Sequence, residues 1–194
     1  MKMRYYHLFP TTRNPASPDP AWLAEARASL MCSGCGSLPR TGKVPDVVVQ
    51  RNPDKSAINV VYGVYICYAL TSLLDTLCQG EFVPFFQLGR LLNSDKEVVP
   101  DVRTFMCHRT VLVRGNEKST FRLCPVCHRL LYCAVGKRYL VRRHTAGIVI
   151  AEDEGGGLVV NELVAGRLSA RGWKNLGLKK LELCDEPIDG LNIA

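Results

Sequence analysis

CSGCG at residues 32–36 and CPVCH at residues 124–128 each place two thiols three positions apart. This spacing is typical of a knuckle, a tight turn in which two cysteine sulfurs face one metal ion about 2.3 Å away. The residue after such a pair often has a left-handed backbone, which suits Gly36 and is accessible to His128. Together the two knuckles predict one tetrahedral site for a structural zinc ion. Its four ligands would be Cys32, Cys35, Cys124 and Cys127.

The separation of the two knuckles leaves other interpretations open. About 90 residues lie between them, whereas compact zinc ribbons keep their cysteine pairs within about 15 to 20 residues. Cys107 and His108 are nearer to the second knuckle and could form a local site with Cys124 and Cys127, and Cys133 is a further substitute ligand. A redox-active CxxC pair and two unrelated thiol pairs are the remaining alternatives, and the first of them would make the chain a thiol redox protein, the third candidate function.

The length and composition predict a single domain over residues 1–194. A chain of 194 residues supports one sizeable core but hardly two. Hydrophobic residues make up 47% of the chain, yet no apolar run reaches the roughly 18 residues that a membrane span requires. The first residues lack the apolar core of a secretion signal, and nine cysteines are an odd number, so we expect the reducing cytoplasm as the compartment.

The patterns of apolar residues predict an α+β fold, built on an antiparallel sheet with a few helices and pinned by a zinc-ribbon-like site. Helices are expected at residues 21–30, after the Asp19-Pro20 start signal, at residues 65–77, and at residues 160–170, before Gly172. The last of these helices is expected to direct Leu163, Val164 and Leu168 inward. Because a strand precedes and another follows the second knuckle, we expect it at the tip of a hairpin. The predicted strands are residues 3–9, 46–50, 82–88, 104–113, 120–123, 129–134, 138–141 and 178–183.

The sequence contains no motif that specifies a catalytic site. Its four histidines lie in no HExxH pattern, and it has no GxSxG, Walker A or GxGxxG motif. A zinc ion held by four cysteines has no open coordination position, so it would stabilise the fold without activating water. We therefore expect a protein that is not an enzyme and has no small-molecule substrate.

Basic side chains surround the second knuckle, in a chain whose net charge is +7. With interleaved tyrosines they could pair with phosphates and stack on bases, so a zinc-ribbon nucleic-acid-binding protein is the alternative function. Strand alternation places only half of them on one face, which favours a solvated or protein-facing surface. The residues concerned are Arg122, Arg129, Lys137, Arg138, Arg142, Arg143, Tyr132 and Tyr139.

The order of these parts resembles the double-CXXCG-motif immunity proteins, which accompany polymorphic toxins in myxobacteria and related bacteria. The resemblance is carried by Cys32-Ser33-Gly34-Cys35-Gly36, by Cys124-Pro125-Val126-Cys127 and by the tail at residues 159–183. His128 departs from the family pattern, which has glycine there. The resemblance implies a cytoplasmic protein that binds and blocks one cognate toxin, with the knuckle cysteines organising the fold and the variable middle of the chain recognising the toxin. Because the chain is basic, the toxin surface is expected to be acidic or neutral.

Overall fold

The structure of the chain is a computed structural model that describes residues 3–11, 15–39, 43–51, 53, 57–64, 66–155 and 157–191. Within these ranges the chain forms thirteen strands, three α-helices and a short 3-10 turn at Arg142–His144. None of the described helices is long and apolar enough to cross a membrane.

The first sheet combines the amino-terminal strand with strands from the carboxy-terminal half of the chain. In spatial order its members are β10 (Tyr139–Val141), β13 (Leu176–Cys184), β1 (Tyr5–Pro10), β12 (Leu158–Asn161), β11 (Ile150–Asp153) and β7 (Thr110–Val111). The central pairs are antiparallel, whereas β10 runs parallel to β13 and β7 runs parallel to β11.

The second sheet is made entirely from the middle of the chain. In spatial order it contains β2 (Val47–Val48), β5 (Phe86–Leu92), β6 (Val98–Cys107), β4 (Ile66–Leu70) and β3 (Ile58–Val61). A separate two-stranded hairpin consists of β8 (Thr120–Leu123) and β9 (Leu130–Cys133), with the second knuckle at its tip, as predicted.

The expected combination of helices with a dominant sheet is confirmed, but the purely antiparallel arrangement is wrong. Three pairs are parallel, and each includes a short strand at the edge of a sheet, namely β2, β7 or β10. These short strands are not joined to their neighbours by hairpin turns. Hairpin turns impose antiparallel pairing, so strands that arrive from distant parts of the chain can take either direction.

Strands that are buried on both faces explain a second error. The helix expected at residues 65–77 is β4 followed by α2 (Thr71–Cys78), with Tyr65 outside the described residues. The helix expected at residues 160–170 is present as α3 (Glu162–Arg171), but its first two predicted residues belong to β12. A strand buried on both faces is continuously apolar, and its pattern cannot be told from that of a buried helix.

The predicted start and end signals of two helices are confirmed. α1 (Pro20–Ser29) begins after Asp19, whose carboxylate accepts hydrogen bonds from the N–H groups of Ala21 and Trp22, both at 3.0 Å. Gly172 ends α3 in the left-handed conformation, with φ of 59°. These signals act within a few residues, so the sequence alone is enough to locate them.

The inward face of α3 was predicted only in part. Val164 and Leu168 are buried as expected, whereas Leu163 is 67% exposed. Asn161, which the sequence pattern did not single out, caps the helix by accepting the N–H of Val164 at 3.1 Å. The cap moves the first helical residue to Glu162, and the apolar stripe of the helix is narrower than expected.

The main core lies where the two large sheets meet α2 and α3. A second cluster packs α1 against the other face of the second sheet, and a third covers the other face of the first sheet. No residue between 120 and 133 belongs to any of these clusters of described residues. The hairpin that presents the second knuckle is therefore held by something other than a hydrophobic core. Fully buried members of the main core include Leu8, Leu73, Leu77, Phe105, Leu158 and Val160.

Candidate metal centre

The two knuckles have the same backbone conformation, although a helix precedes one and a strand precedes the other. In each, the N–H of the first cysteine donates to the carbonyl five residues later, and the N–H four residues later donates to the carbonyl of that cysteine. The N···O distances are 3.0 and 2.8 Å in the first knuckle and 2.9 and 3.0 Å in the second. Gly36, with φ of 68°, and His128, with φ of 56°, both adopt the expected left-handed conformation.

The sulfur atoms of the four knuckle cysteines meet at one point of the surface, within 4.8 Å of one another. The Sγ atoms of Cys32 and Cys124 are 3.6 Å apart, and those of Cys35 and Cys127 are also 3.6 Å apart. Two thiolates bound to one tetrahedral zinc at about 2.3 Å would lie about 3.8 Å apart. The four side chains are therefore close enough to hold a metal ion.

Gly34 allows the two knuckles to approach each other, a role that the sequence pattern did not reveal. A Cβ atom at this position would lie 2.9 Å from the Sγ of Cys124 and 2.8 Å from a methyl group of Val126. Real side chains essentially never come this close. The N–H of Gly34 also lies 3.4 Å from the Sγ of Cys32, so the same residue supplies a hydrogen bond to the cluster.

Backbone N–H groups favour the thiolate form of two of the sulfurs. Hydrogen bonds from the N–H groups of Cys127 and Val126 lower the pKa of Cys124 to about 6. Burial alone would raise the pKa of Cys35, but the N–H and hydroxyl groups of Ser37, together with neighbouring thiols, lower it below its ordinary value. Thiolates are the form of cysteine that binds metal ions.

Crowding has the opposite effect on the thiol of Cys127, whose pKa it raises. The N–H of Arg129 lowers the pKa of Cys127, yet desolvation and the three other cysteines of the cluster raise it to about 12. Four thiolates in this volume repel one another unless a cation lies among them. A divalent ion with four sulfur ligands would remove that repulsion and ionise all four.

The substitute ligands considered from the sequence lie elsewhere. Cys107 is buried at the end of β6, where its N–H donates to Glu152 at 3.1 Å, and a ring nitrogen of His108 lies 3.0 Å from the carbonyl of Val83. In the described part of the chain, the knuckle cluster is the one group of three or more His, Cys, Asp or Glu side chains that could hold a metal ion. The structure therefore does not form a site with Cys107, His108 or Cys133.

A buried charge network holds the base of the hairpin. The guanidinium of Arg114, which is 2% exposed, donates to both carboxylate oxygens of Asp189 and to the carbonyl of Leu191. Tyr132, on β9, donates its hydroxyl to Asp189 at 2.6 Å and accepts the N–H of Gly115 at 2.6 Å. The carboxy-terminal segment is thus bonded to the hairpin through one carboxylate.

The pKa values of Asp189 and Tyr132 shift in opposite directions, and each shift reinforces the charge state that the group already has at neutral pH. Burial alone would raise the pKa of Asp189, but hydrogen bonds from Arg114, Tyr132 and Leu191 outweigh it and lower the pKa. Burial, followed by the hydrogen bond to Asp189, raises the pKa of Tyr132. No sequence motif predicted this network, because Arg114 and Asp189 are 75 positions apart.

Carboxylates neutralise part of the basic surface that the sequence indicated. Three of the six Lys and Arg residues considered pair with carboxylates of described residues, Arg143 also has an interaction partner, and Arg122 lies on the exposed strand β8. The pairs are Lys137 with Glu182 at 2.6 Å, Arg142 with Asp185 at 2.6 Å, and Arg129 with Glu154 at 3.6 Å. These three side chains are less available to phosphate groups than their sequence pattern suggests.

No protein-family model and no curated protein matches this chain. The resemblance to the double-CXXCG immunity proteins stays a prediction, as do the toxin partner, the nucleic-acid alternative and the absence of catalysis.

Proposed function

We propose that this chain is a zinc-binding, non-catalytic protein of the cytoplasm that binds a cognate protein toxin and neutralises it. The observation that supports it is the meeting of four cysteine sulfurs, two from each knuckle, within 4.8 Å. Four thiolates in a tetrahedral arrangement favour zinc, which then has no position left for water or substrate. The proposed role of the ion is to fix the shape of a binding surface.

The toxin as partner comes from the resemblance of the two CxxC segments and the tail to immunity proteins. A stoichiometric inhibitor gains affinity when its binding surface is rigid before the encounter, because less conformational entropy is lost on binding. A metal ion that joins two distant chain segments would supply such rigidity. The reducing cytoplasm would keep the four thiols available for the ion.

The first experiment measures zinc per chain in untagged protein after a chelator wash. We expect one zinc ion per chain in the wild type and in Cys133→Ser, a matched control at an exposed cysteine on the same hairpin. We expect none in Cys32→Ser or in Cys124→Ser, because each knuckle supplies half of the ligands. Zinc retained in Cys32→Ser would disprove the shared site.

The second experiment tests toxin neutralisation by co-expression with the toxin encoded next to this chain's gene. The wild type should restore growth, and the zinc-free Cys124→Ser variant should not. If the zinc-loaded wild type rescues growth from no linked toxin, the immunity function is wrong, even where the zinc site is correct.

A nucleic-acid function is the second candidate, favoured by the basic segment around the hairpin. Residues 118–151 contain seven Lys and Arg residues and no Asp or Glu. This candidate requires DNA or RNA binding that weakens steeply with salt and that Arg122→Glu reduces. No retention of single-stranded or double-stranded nucleic acid at low salt would eliminate it.

A further inference from the structure

We propose that the outer edge of β8 binds an extended, acidic segment of the partner protein, which adds to the hairpin as a third strand. This inference rests on the proposed protein-binding function and identifies the surface and the chemistry of the partner. Three observations support it: an unused strand edge, exposed apolar side chains beside that edge, and the distribution of charge.

The strand edge is available along its whole length. In the described part of the chain β8 pairs with β9 alone, and all four of its residues are exposed. The N–H of Cys124 points inward, to the carbonyl of Arg129 at 2.9 Å. Successive residues of a strand direct their N–H and C=O groups to opposite sides. Those of Phe121 and Leu123 therefore point away from β9, and they give a partner strand two donors and two acceptors.

The side chains beside this edge are apolar and exposed. Phe121 is 43% exposed, Leu123 is 63% exposed, and Val126 in the adjoining knuckle is 56% exposed. Phe121 and Leu123 alternate along β8, so both lie on one face of the strand. Below the hairpin, a cleft of about 610 Å³ opens between residues 120–122, β9 and a wall that contains Glu152, Asp153 and Glu154. Because this wall is acidic, the partner side chains that enter the cleft would be apolar, and the partner carboxylates would lie on the opposite face of the added strand. Peptides that add a strand gain affinity from main-chain bonds and specificity from such side-chain pockets.

The distribution of charge on the molecule favours an acidic partner segment. The seven basic residues and no acidic ones in residues 118–151 equal the net charge of +7 of the whole chain, so the remainder is neutral. An approaching strand with carboxylates would be attracted to this region, whereas a second copy of the chain would place Arg122 against basic residues and be repelled. Three of the seven basic residues pair with Glu154, Glu182 and Asp185, so the basic residues of this region exceed their carboxylate partners by four (7 − 3). An excess of this size suits a short peptide with a few carboxylates better than a polyphosphate chain, which depends on many cationic contacts.

The direct test uses zinc-loaded wild-type protein and a short blocked peptide of alternating valine and glutamate. We expect this peptide to bind at least about tenfold more tightly than the same peptide with lysine in place of glutamate. It should also slow hydrogen exchange at the amides of Phe121 and Leu123. Binding of single-stranded oligothymidylate in place of the peptide, or binding of neither probe, would overturn the inference.

A matched pair of variants separates the main-chain contribution from the side-chain contribution. Phe121→Ala removes the ring and keeps the outward N–H, whereas Phe121→Pro removes both, and proline is tolerated at a strand edge. We expect peptide affinity to fall a fewfold in the alanine variant and about five- to tenfold further in the proline variant. Zinc content verifies that both variants keep the hairpin. Equal weakening in the two variants would contradict strand addition.

A substitution at an exposed apolar residue away from the hairpin serves as the control for peptide binding. Leu163→Ala, on α3, should leave peptide binding unchanged. Failure of the proposed function appears as missing zinc or as missing growth rescue. Failure of the present inference appears as zinc-loaded wild-type protein that does not bind the acidic peptide, so the two failures are distinguishable.

Discussion

The two ends of the β8–β9 hairpin are held by different chemistry. At the tip, four cysteine sulfurs from two distant segments lie within 4.8 Å of one another. At the base, the carboxylate of Asp189 accepts hydrogen bonds from both Tyr132 and Arg114. The Arg114 side chain is almost completely buried. Between these ends the hairpin contributes no residue to the hydrophobic clusters.

This comparison teaches how a small exposed hairpin is kept in place without a core of its own. An isolated two-stranded hairpin is marginally stable in water, so its position must come from attachments at its ends. Under the proposed function, the tip attachment depends on a metal ion, which a chelator can remove. The base attachment depends on a charge pair whose members cannot be separated without leaving a buried charge. The predictions below test each attachment separately.

Removing the metal ion should have the largest effect. Structural zinc sites contribute apparent free energies of about 10–16 kcal/mol in zinc-finger peptides. A strong chelator should therefore make hydrogen exchange fast across residues 120–133, while β1 and β12 stay protected by the main core. Exchange measured by mass spectrometry before chelation, after it, and after zinc is restored checks this. Unchanged exchange in the hairpin would show that the tip attachment is dispensable.

Breaking the charge pair should come next. Asp189→Ala leaves the guanidinium of Arg114 buried without its partner, at a cost of about 3–5 kcal/mol in the free energy of unfolding. Chemical denaturation measures the loss, and zinc content should be unchanged. The matched control is the double variant Arg114→Met with Asp189→Leu, which should recover most of the stability because no buried charge remains. A double variant as unstable as Asp189→Ala would contradict this account.

Removing one hydroxyl at the base should have a smaller effect. Tyr132→Phe takes the acceptor from the N–H of Gly115 and a donor from Asp189, so we expect a loss of about 1–3 kcal/mol. Tyr139→Phe, at a half-buried tyrosine on β10, is the control and should change stability by less than about 0.5 kcal/mol. Equal losses in the two variants would mean that the base hydrogen bonds contribute little.

The smallest expected effect concerns the backbone of the knuckles. His128 has φ of 56°, a conformation that costs a residue with a side chain about 1–2 kcal/mol relative to glycine. His128→Gly should therefore raise the thermal midpoint slightly without changing zinc content. Gly36→Ala, at φ of 68°, should lower it by a comparable amount. A stabilised Gly36→Ala variant would refute the equivalence of the two knuckles.

The parts of the site that the sequence predicted are those encoded within a few residues. Each CxxC segment contains its own turn geometry, so the four cysteines of the cluster were predictable although their meeting depends on the whole fold. The start of α1 was predictable for the same reason, since Asp19 and Pro20 act on adjacent N–H groups.

The parts that the sequence did not predict depend on distant partners. The strand β4 was mistaken for a helix because burial on both faces removes the alternation that marks a strand. Asp189 and Arg114 have no local signature, and only the folded chain brings them together. The parallel edge strands were not predicted, because no hairpin turn joins them to their neighbours. Without such a turn, the sequence contains no local signal for the pairing.

The two knuckles also enclose the whole of the second sheet, since residues 47–107 lie between Cys35 and Cys124. A metal ion that joins them would close the chain into a ring of about 90 residues, and chain-entropy models assign such a closure about 4–5 kcal/mol. The ring cannot close until the second knuckle has been synthesised. At about 5–20 residues per second, the first pair of thiols would wait roughly 4–18 s on the ribosome for its partner. The metal would thus gain all four sulfurs only after the sheet inside the ring has been synthesised.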